Sequence, residues 1–427
     1  MNSRFAFIIL LTFILFLESS CQNRSERIKN PVIKAIKPPI EIKQPIKELK
    51  NVYFYIENSG SVFGYVRTFS EYVSVISELS EKPEFVVENI NRNFYFINGN
   101  DLQITPIGSN PRLLRNRLNV AGYNCGDILH SDLNEMFQVA LSKAGGDKIS
   151  ILISDGIYDI GREDAPFNAL ATEGKETRSK FLERLNNGDI QTILVKLNSS
   201  FNGDYCYASR PGRISINHSR PYYIWIFGES ALLNKYFPEN YIATQLTGYE
   251  SMVRFFSLKQ VKVPSQATSQ SRIGNFKFDK HDRNKLKDVE MDRNGQGFRI
   301  AIAVDYSSLP LSDSYFCSLN NYNCSGNFKV VEVQKVGDKK IYDVNSFTPT
   351  HLIVVLSKTS PYGNLSVNLK NTLPSWISET HSTNEYDIET NVSQTFGFNH
   401  LIKGISDAYQ FISAQENIVT FKIEINK

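Results

Sequence analysis

What most constrains this chain is a regular alternation, across residues 51–250, of short β-type runs with segments of helical apolar spacing. Val52-Tyr53-Phe54-Tyr55-Ile56 is aromatic and β-branched, the pattern of a strand buried on both faces. Val66, Phe69, Val73, Ile76 and Leu79 then recur at helical spacing. Residues 94–97 predict the next strand and residues 113–120 a short helix, while Leu133, Phe137, Ala140 and Leu141 mark another helix. Ile149-Ser150-Ile151-Leu152-Ile153 is the clearest strand signal, followed by a helix over 178–185, strands at 192–195 and 222–227, and a helix over 230–236. This order predicts an α/β fold with a mostly parallel sheet covered on both faces.

Residues 251–273 read as a linker, with 258–273 polar and rich in Ser and Gln. Beyond it, 274–427 predicts a β-rich, sandwich-like domain with strands at 298–304, 328–333, 352–356, 365–369 and 419–425. One helix interrupts them, with Phe398, Leu401, Ile402, Ile405 and Tyr409 on one face. Two domains suit a chain of 427 residues.

The N-terminus carries a different message. Arg4 precedes an apolar run over 5–17 broken only by Thr12, and Ser19-Ser20-Cys21 follows. A basic start, a short apolar core and small residues before a cleavage point make a secretory signal peptide. Residues 1–21 therefore predict export, and the Leu-Glu-Ser-Ser-Cys end resembles a bacterial lipoprotein signal, which implies acylation of Cys21. Residues 22–50 read as a tether: Pro31, Pro38, Pro39 and Pro45 oppose helix, and eight Lys and Arg outnumber three acids. The expectation is a lipid-anchored cell-envelope protein, at the outer membrane or cell surface. A net charge of +3 gives no argument for nucleic acid. In an exported chain Cys125, Cys206, Cys317 and Cys324 can oxidise; Cys317 with Cys324 and Cys125 with Cys206 is one of three possible connectivities.

In open parallel sheets ligands bind beyond the carboxyl ends of the strands. There the sequence places Glu57-Asn58-Ser59-Gly60-Ser61 after the first strand and Ser154-Asp155-Gly156 after the central one, with Ser131 at a helix start between them. Two carboxylates (Glu57, Asp155) and three hydroxyls (Ser59, Ser61, Ser131) suit a hard cation such as Mg²⁺ or Mn²⁺. The cluster holds no His or Cys, which argues against zinc and copper.

This arrangement resembles the von Willebrand factor type A domain, whose first motif is Asp-x-Ser-x-Ser. Here Glu57, Ser59 and Ser61 match it with Glu in place of Asp, Ser131 in Ser-Asp-Leu-x-x-Met-Phe matches the second loop's Thr, and Asp155 in Ile-Leu-Ile-Ser-Asp-Gly matches the third-loop Asp. Cys125-Gly126-Asp127 is a rival placement for the second loop. The chain also resembles Bacteroidetes-type lipoproteins in which a type A domain precedes a β-rich one, a family without an assigned activity. The resemblance implies a doubly wound, Rossmann-like sheet and a protein partner whose carboxylate completes the metal's coordination. The alternatives are a metal-dependent phosphate-ester hydrolase, with Asp132 or Asp159 as base, and a passive envelope scaffold. The enzyme reading lacks an Asp-x-Asp signature, a phosphate-binding Gly-rich loop, a His-Glu-x-x-His helix and a nucleophile elbow.

Overall fold

The computed structural model describes residues 47–161, 166–259, 261–337 and 341–427. The signal, Cys21 and nearly all of the tether lie outside the described residues. Seven strands build the central sheet: β1 (Asn51–Glu57), β2 (Asn91–Asn98), β3 (Gln103–Gly108), β4 (Lys148–Ser154), β5 (Gln191–Cys206), β6 (Arg213–Gly228) and β7 (Tyr249–Phe255). Their order is β3-β2-β1-β4-β6-β5-β7. β1 pairs in parallel with β2 and with β4, Phe54 lying opposite Phe94 on one side and Ile151 on the other.

The remaining pairings are antiparallel, so the sheet is mixed where the sequence predicts mostly parallel. Beyond β4 the reason lies in β6, which returns from β5 through the loop at 207–212 and inserts between β5 and β4. Its core half, Tyr222 to Phe227, is as apolar as a parallel strand because both its faces are buried.

Side chains on the central strands alternate between two cores, as the strand period of two requires. Val52, Phe54 and Ile56 of β1, with Ile149, Ile151 and Ile153 of β4, face α1 (Glu71–Ser80), which supplies Tyr72, Ile76 and Leu79. Tyr55, Leu152 and Trp225 face α2 (Leu133–Ser142) and α3 (Pro166–Asn186), where Phe137 and Phe181 pack edge to face. Ser70 and Asp132 cap α1 and α2, their side chains accepting from the amides of Val73 and Glu135. The expected helix after β1 is split, with one turn at Phe63–Val66 before α1. α4 (Ser230–Tyr236) and α5 (Glu239–Gln245) lead into β7.

The rest is β-rich. β8 (Ser265–Ile273), β11 (Phe298–Val304), β13 (Phe328–Lys335) and β14 (His351–Ser357) form one sheet. The other contains β9 (Asn275–Phe278), β10 (Lys285–Glu290), β12 (Tyr322–Cys324), β15 (Gly363–Lys370) and β16 (Asn417–Ile425). Ile300, Ile302 and Val355 of the first sheet share a core with Val367, Phe421 and Ile423 of the second.

The 251–273 segment is not a plain linker. It completes β7 and forms β8, a polar edge strand held by Thr268 and Ser269 hydrogen bonds to Asp343. The C-terminal region also does not stay with the sandwich. Between β15 and β16 it sends α6 (Glu385–Thr390) and α7 (Phe398–Ser413) back to the first sheet, where Leu401, Ile405 and Tyr409 join the core of Trp225. Residues from 47 onward thus belong to one compact unit. Cys125, Cys206, Cys317 and Cys324, the possible disulfide partners, stand as free thiols. Cys324 packs against the sandwich core, and Cys125 is a hydrogen-bond acceptor of Asn58 and Arg117. Among the described residues no helix is long and apolar enough to cross a membrane.

Candidate functional site

β1 has β2 on one side and β4 on the other, so successive connections leave in opposite directions and the loops part between them. The five side chains singled out by sequence gather at this switch point. Glu57 closes β1 and Asp155 follows β4, and both are buried, at 1% and 3% exposure. Ser59 Oγ donates to Glu57 Oε1 at 2.7 Å and lies 3.0 Å from Ser61 Oγ. The Ser131 and Ser154 hydroxyls also act to lower the Glu57 carboxyl, and the Ser61 hydroxyl that of Asp155. Gly156 makes the turn at φ +72°, and a Cβ there would stand 2.8 Å from the Tyr223 ring.

The second loop is held by buried amides. Asn58 Nδ2 donates to the carbonyls of Tyr123 (2.9 Å) and Cys125 (2.8 Å), and Asn98 Nδ2 donates to Cys125 O as well, at 2.8 Å. Gly99 N donates to His130 O at 2.9 Å, and Ser131 bridges to Gly99. These bonds set Ser131 beside Glu57. The rival segment serves its own loop instead, where Asp127 accepts from the amide of Leu129.

Burial and then the neighbouring Asp155 push the Glu57 carboxyl up to about 7. Burial likewise raises Asp155, against the pull of the Ser61 hydroxyl and of Arg220. Arg220 is 3% exposed and lies over the rings of Tyr205 and Phe201, 4.5 and 5.4 Å from their centroids. Two buried carboxyls thus lie together, Arg220 acting on Asp155 while Glu57 keeps its proton up to about neutrality.

Sequence reasoning missed Arg220 because it missed the hairpin that carries it. β5 and β6 pair over sixteen residues each, from Gln191 opposite Gly228 to Cys206 opposite Arg213, and their outer half runs on past the end of β4. There Cys206, Tyr207 and Ala208 wall an open crevice of about 570 Å³ that also touches Ser59, Ser61 and Ser131. On the outer arm of this hairpin a Cβ on Gly203 would fall 2.6 Å from Gly64 Cα, so the close approach requires glycine. At its tip Glu385 of α6 accepts from Ala208 N (2.5 Å), Ser209 N (2.9 Å) and the Tyr205 hydroxyl (3.3 Å). Arg210 lies between the rings of Tyr207 and Tyr386, 3.6 and 3.5 Å from their centroids, and pairs with Glu389 at 2.9 Å. The sequence signal was Pro211-Gly212 between two runs of similar length.

The donor set fits a hard divalent cation. It is all oxygen, and a serine hydroxyl that donates to a carboxylate keeps lone pairs for a metal. Among the described residues no group of three or more His, Cys, Asp or Glu side chains is placed to hold a metal; this cluster has two carboxylates and depends on hydroxyls for the rest. Of the alternative bases, Asp132 caps α2, whereas Asp159 Oδ2 lies 3.1 Å from His130 Nδ1 at the crevice rim. No protein-family model matches the chain, and no curated protein matches it.

Proposed function

We propose that this chain is an exported, membrane-tethered binding module that engages a protein partner through a von Willebrand factor type A-like strand-end site, with Mg²⁺ or Mn²⁺ as the bridging ion. The carrying observation is the convergence of Glu57, Ser59, Ser61, Ser131 and Asp155 at the switch point, with both carboxyls buried and raised above their ordinary range in the absence of an ion. Glu57 and Asp155 would hold the ion with the serine hydroxyls, leaving room for a partner's carboxylate from the crevice. Doubly wound type A topology is the finer reading of the parallel β2-β1-β4 centre; the antiparallel half departs from it. The tether and the anchor at Cys21 rest on the sequence of residues 1–50.

Calorimetric titration of residues 47–427 with Mg²⁺ and Mn²⁺, beside Asp155→Ala, tests the site. Ion binding that is lost in a folded Asp155→Ala variant supports the reading; no binding by the parent chain refutes it. Cys21→Ser in the full-length chain should move the protein from the membrane to the soluble fraction. Retention on membranes would refute the lipid anchor.

A second reading, metal-dependent hydrolysis of phosphate esters, draws on the His130–Asp159 pair beside the cluster. It predicts turnover of p-nitrophenyl phosphate that requires Mn²⁺ and falls in His130→Ala. Absence of turnover in the ion-loaded protein would eliminate it.

A further inference from the structure

A second cavity lies far from the crevice, at the outer edge of β7, where α7, β16 and the loops at 310–312 and 371–374 meet. It takes in about 770 Å³ of non-protein space, part of it open to solvent. Phe255, Leu258, Leu311, Leu373, Tyr409 and Ile418 make most of its wall apolar. Two charged residues line it: Arg254, from β7, and Glu239, from the start of α5.

Arg254 is the unusual member. Its guanidinium donates to the Phe237 carbonyl at 2.6 Å and to Asn234 Oδ1 at 3.2 Å, both neutral oxygens. Among the described residues no carboxylate hydrogen-bonds it; Glu239 acts on it only through space. Burial pulls the Arg254 pKa down to about 10 and pushes the Glu239 carboxyl up. A guanidinium has five N–H donors in a fixed fork, so two bonds to neutral partners leave capacity for a carboxylate. A half-buried cation at the wall of a largely apolar cavity fits a molecule with one anionic end and an apolar body.

We propose that this cavity binds an amphiphilic monocarboxylate, with its carboxylate on Arg254 and its apolar chain or ring among Leu311, Leu373 and Tyr409. The site is independent of the strand-end cluster and would operate with or without a metal there.

The test uses octanoate as probe and octanol as its uncharged counterpart, titrated calorimetrically into residues 47–427. The expected result is one octanoate per chain, bound about tenfold or more tighter than octanol, the size of a charge-assisted contact. Arg254→Met should remove that preference, and Leu311→Trp should block both probes by filling the cavity. Glu239→Gln should tighten octanoate by removing a like charge. That variant keeps the test alive if Arg254→Met fails to fold, which thermal melting would reveal. No octanoate binding by the parent chain would overturn the proposal. So would an unchanged preference in folded Arg254→Met, or weaker binding in Glu239→Gln.

Discussion

Glu57→Gln gives the sharpest physical test of the strand-end cluster. In the ion-free folded protein burial and Asp155 raise the Glu57 carboxyl from 4.5 to about 7. The folded state therefore holds a proton that the unfolded chain has already released, so stability falls as pH rises through that window. A displacement of that size corresponds to about 3 kcal/mol between the ends of the window. Glutamine keeps the shape and can still accept from the Ser59 hydroxyl, but it carries no charge at any pH. The variant should match the parent at about pH 4.5 and exceed it by about 3 kcal/mol at about pH 8. Urea unfolding followed by tryptophan fluorescence reads this directly, because Trp225 is fully buried in the core beneath. Saturating Mg²⁺ should then restore the parent at the upper pH, by about 2.7 kcal/mol at a hundredfold excess over the dissociation constant, and leave Glu57→Gln unchanged. Parallel pH profiles for the two proteins would refute the electrostatic reasoning. Divergent profiles with no Mg²⁺ effect would keep the buried-acid account and reject the ion.

Other expectations concern the surroundings of the site. Glu385→Ala removes the acceptor of two hairpin amides, Ala208 and Ser209, and should make 205–212 the first site of limited proteolysis, with a loss of about 2 kcal/mol in urea unfolding; unchanged cleavage would mean that the tip needs no latch. Gly156→Ala should cost about 1–3 kcal/mol, because φ is +72° and the Tyr223 ring is in the way, and should weaken ion binding more than a distant substitution of equal stability cost. Thiol titration of residues 47–427 should find four free cysteines after unfolding; fewer than four would mean that disulfides form.

The site was more legible than the fold around it, for a physical reason. Glu57 and Asp155 directly follow two central apolar runs, and a strand's end fixes where the next residues point, so local sequence suffices to bring them together. The sheet's direction beyond β4 is not local. Residues 222–227 look the same in either orientation, because an interior strand is apolar on both faces whichever way it runs. The outer hairpin arms were invisible for the opposite reason. In Leu197-Asn198-Ser199-Ser200-Phe201-Asn202-Gly203 the small and polar residues suit cross-strand pairing and glycine contact, which leave no hydrophobic period to read. Edge strand β8 escaped likewise, its Ser and Gln resembling loop until Asp343 supplies partners.

That blind spot matters because the hairpin brings the cluster its one buried cation. Arg220 is the cation that holds Asp155 down against burial, so Arg220→Met should raise the Asp155 carboxyl further. If an ion is the natural occupant, Arg220→Met should instead bind Mg²⁺ or Mn²⁺ more tightly than the parent above about pH 8, because the cation no longer competes for Asp155. Arg220 would then tune affinity from outside the ligand set. The opposite outcome, loss of ion binding in a folded Arg220→Met, would mean that its stacking on Tyr205 and Phe201 holds the crevice wall in place and that charge is secondary. Calorimetry at two pH values separates the two, since a structural loss is the same at both and an electrostatic gain grows as the carboxylates ionise.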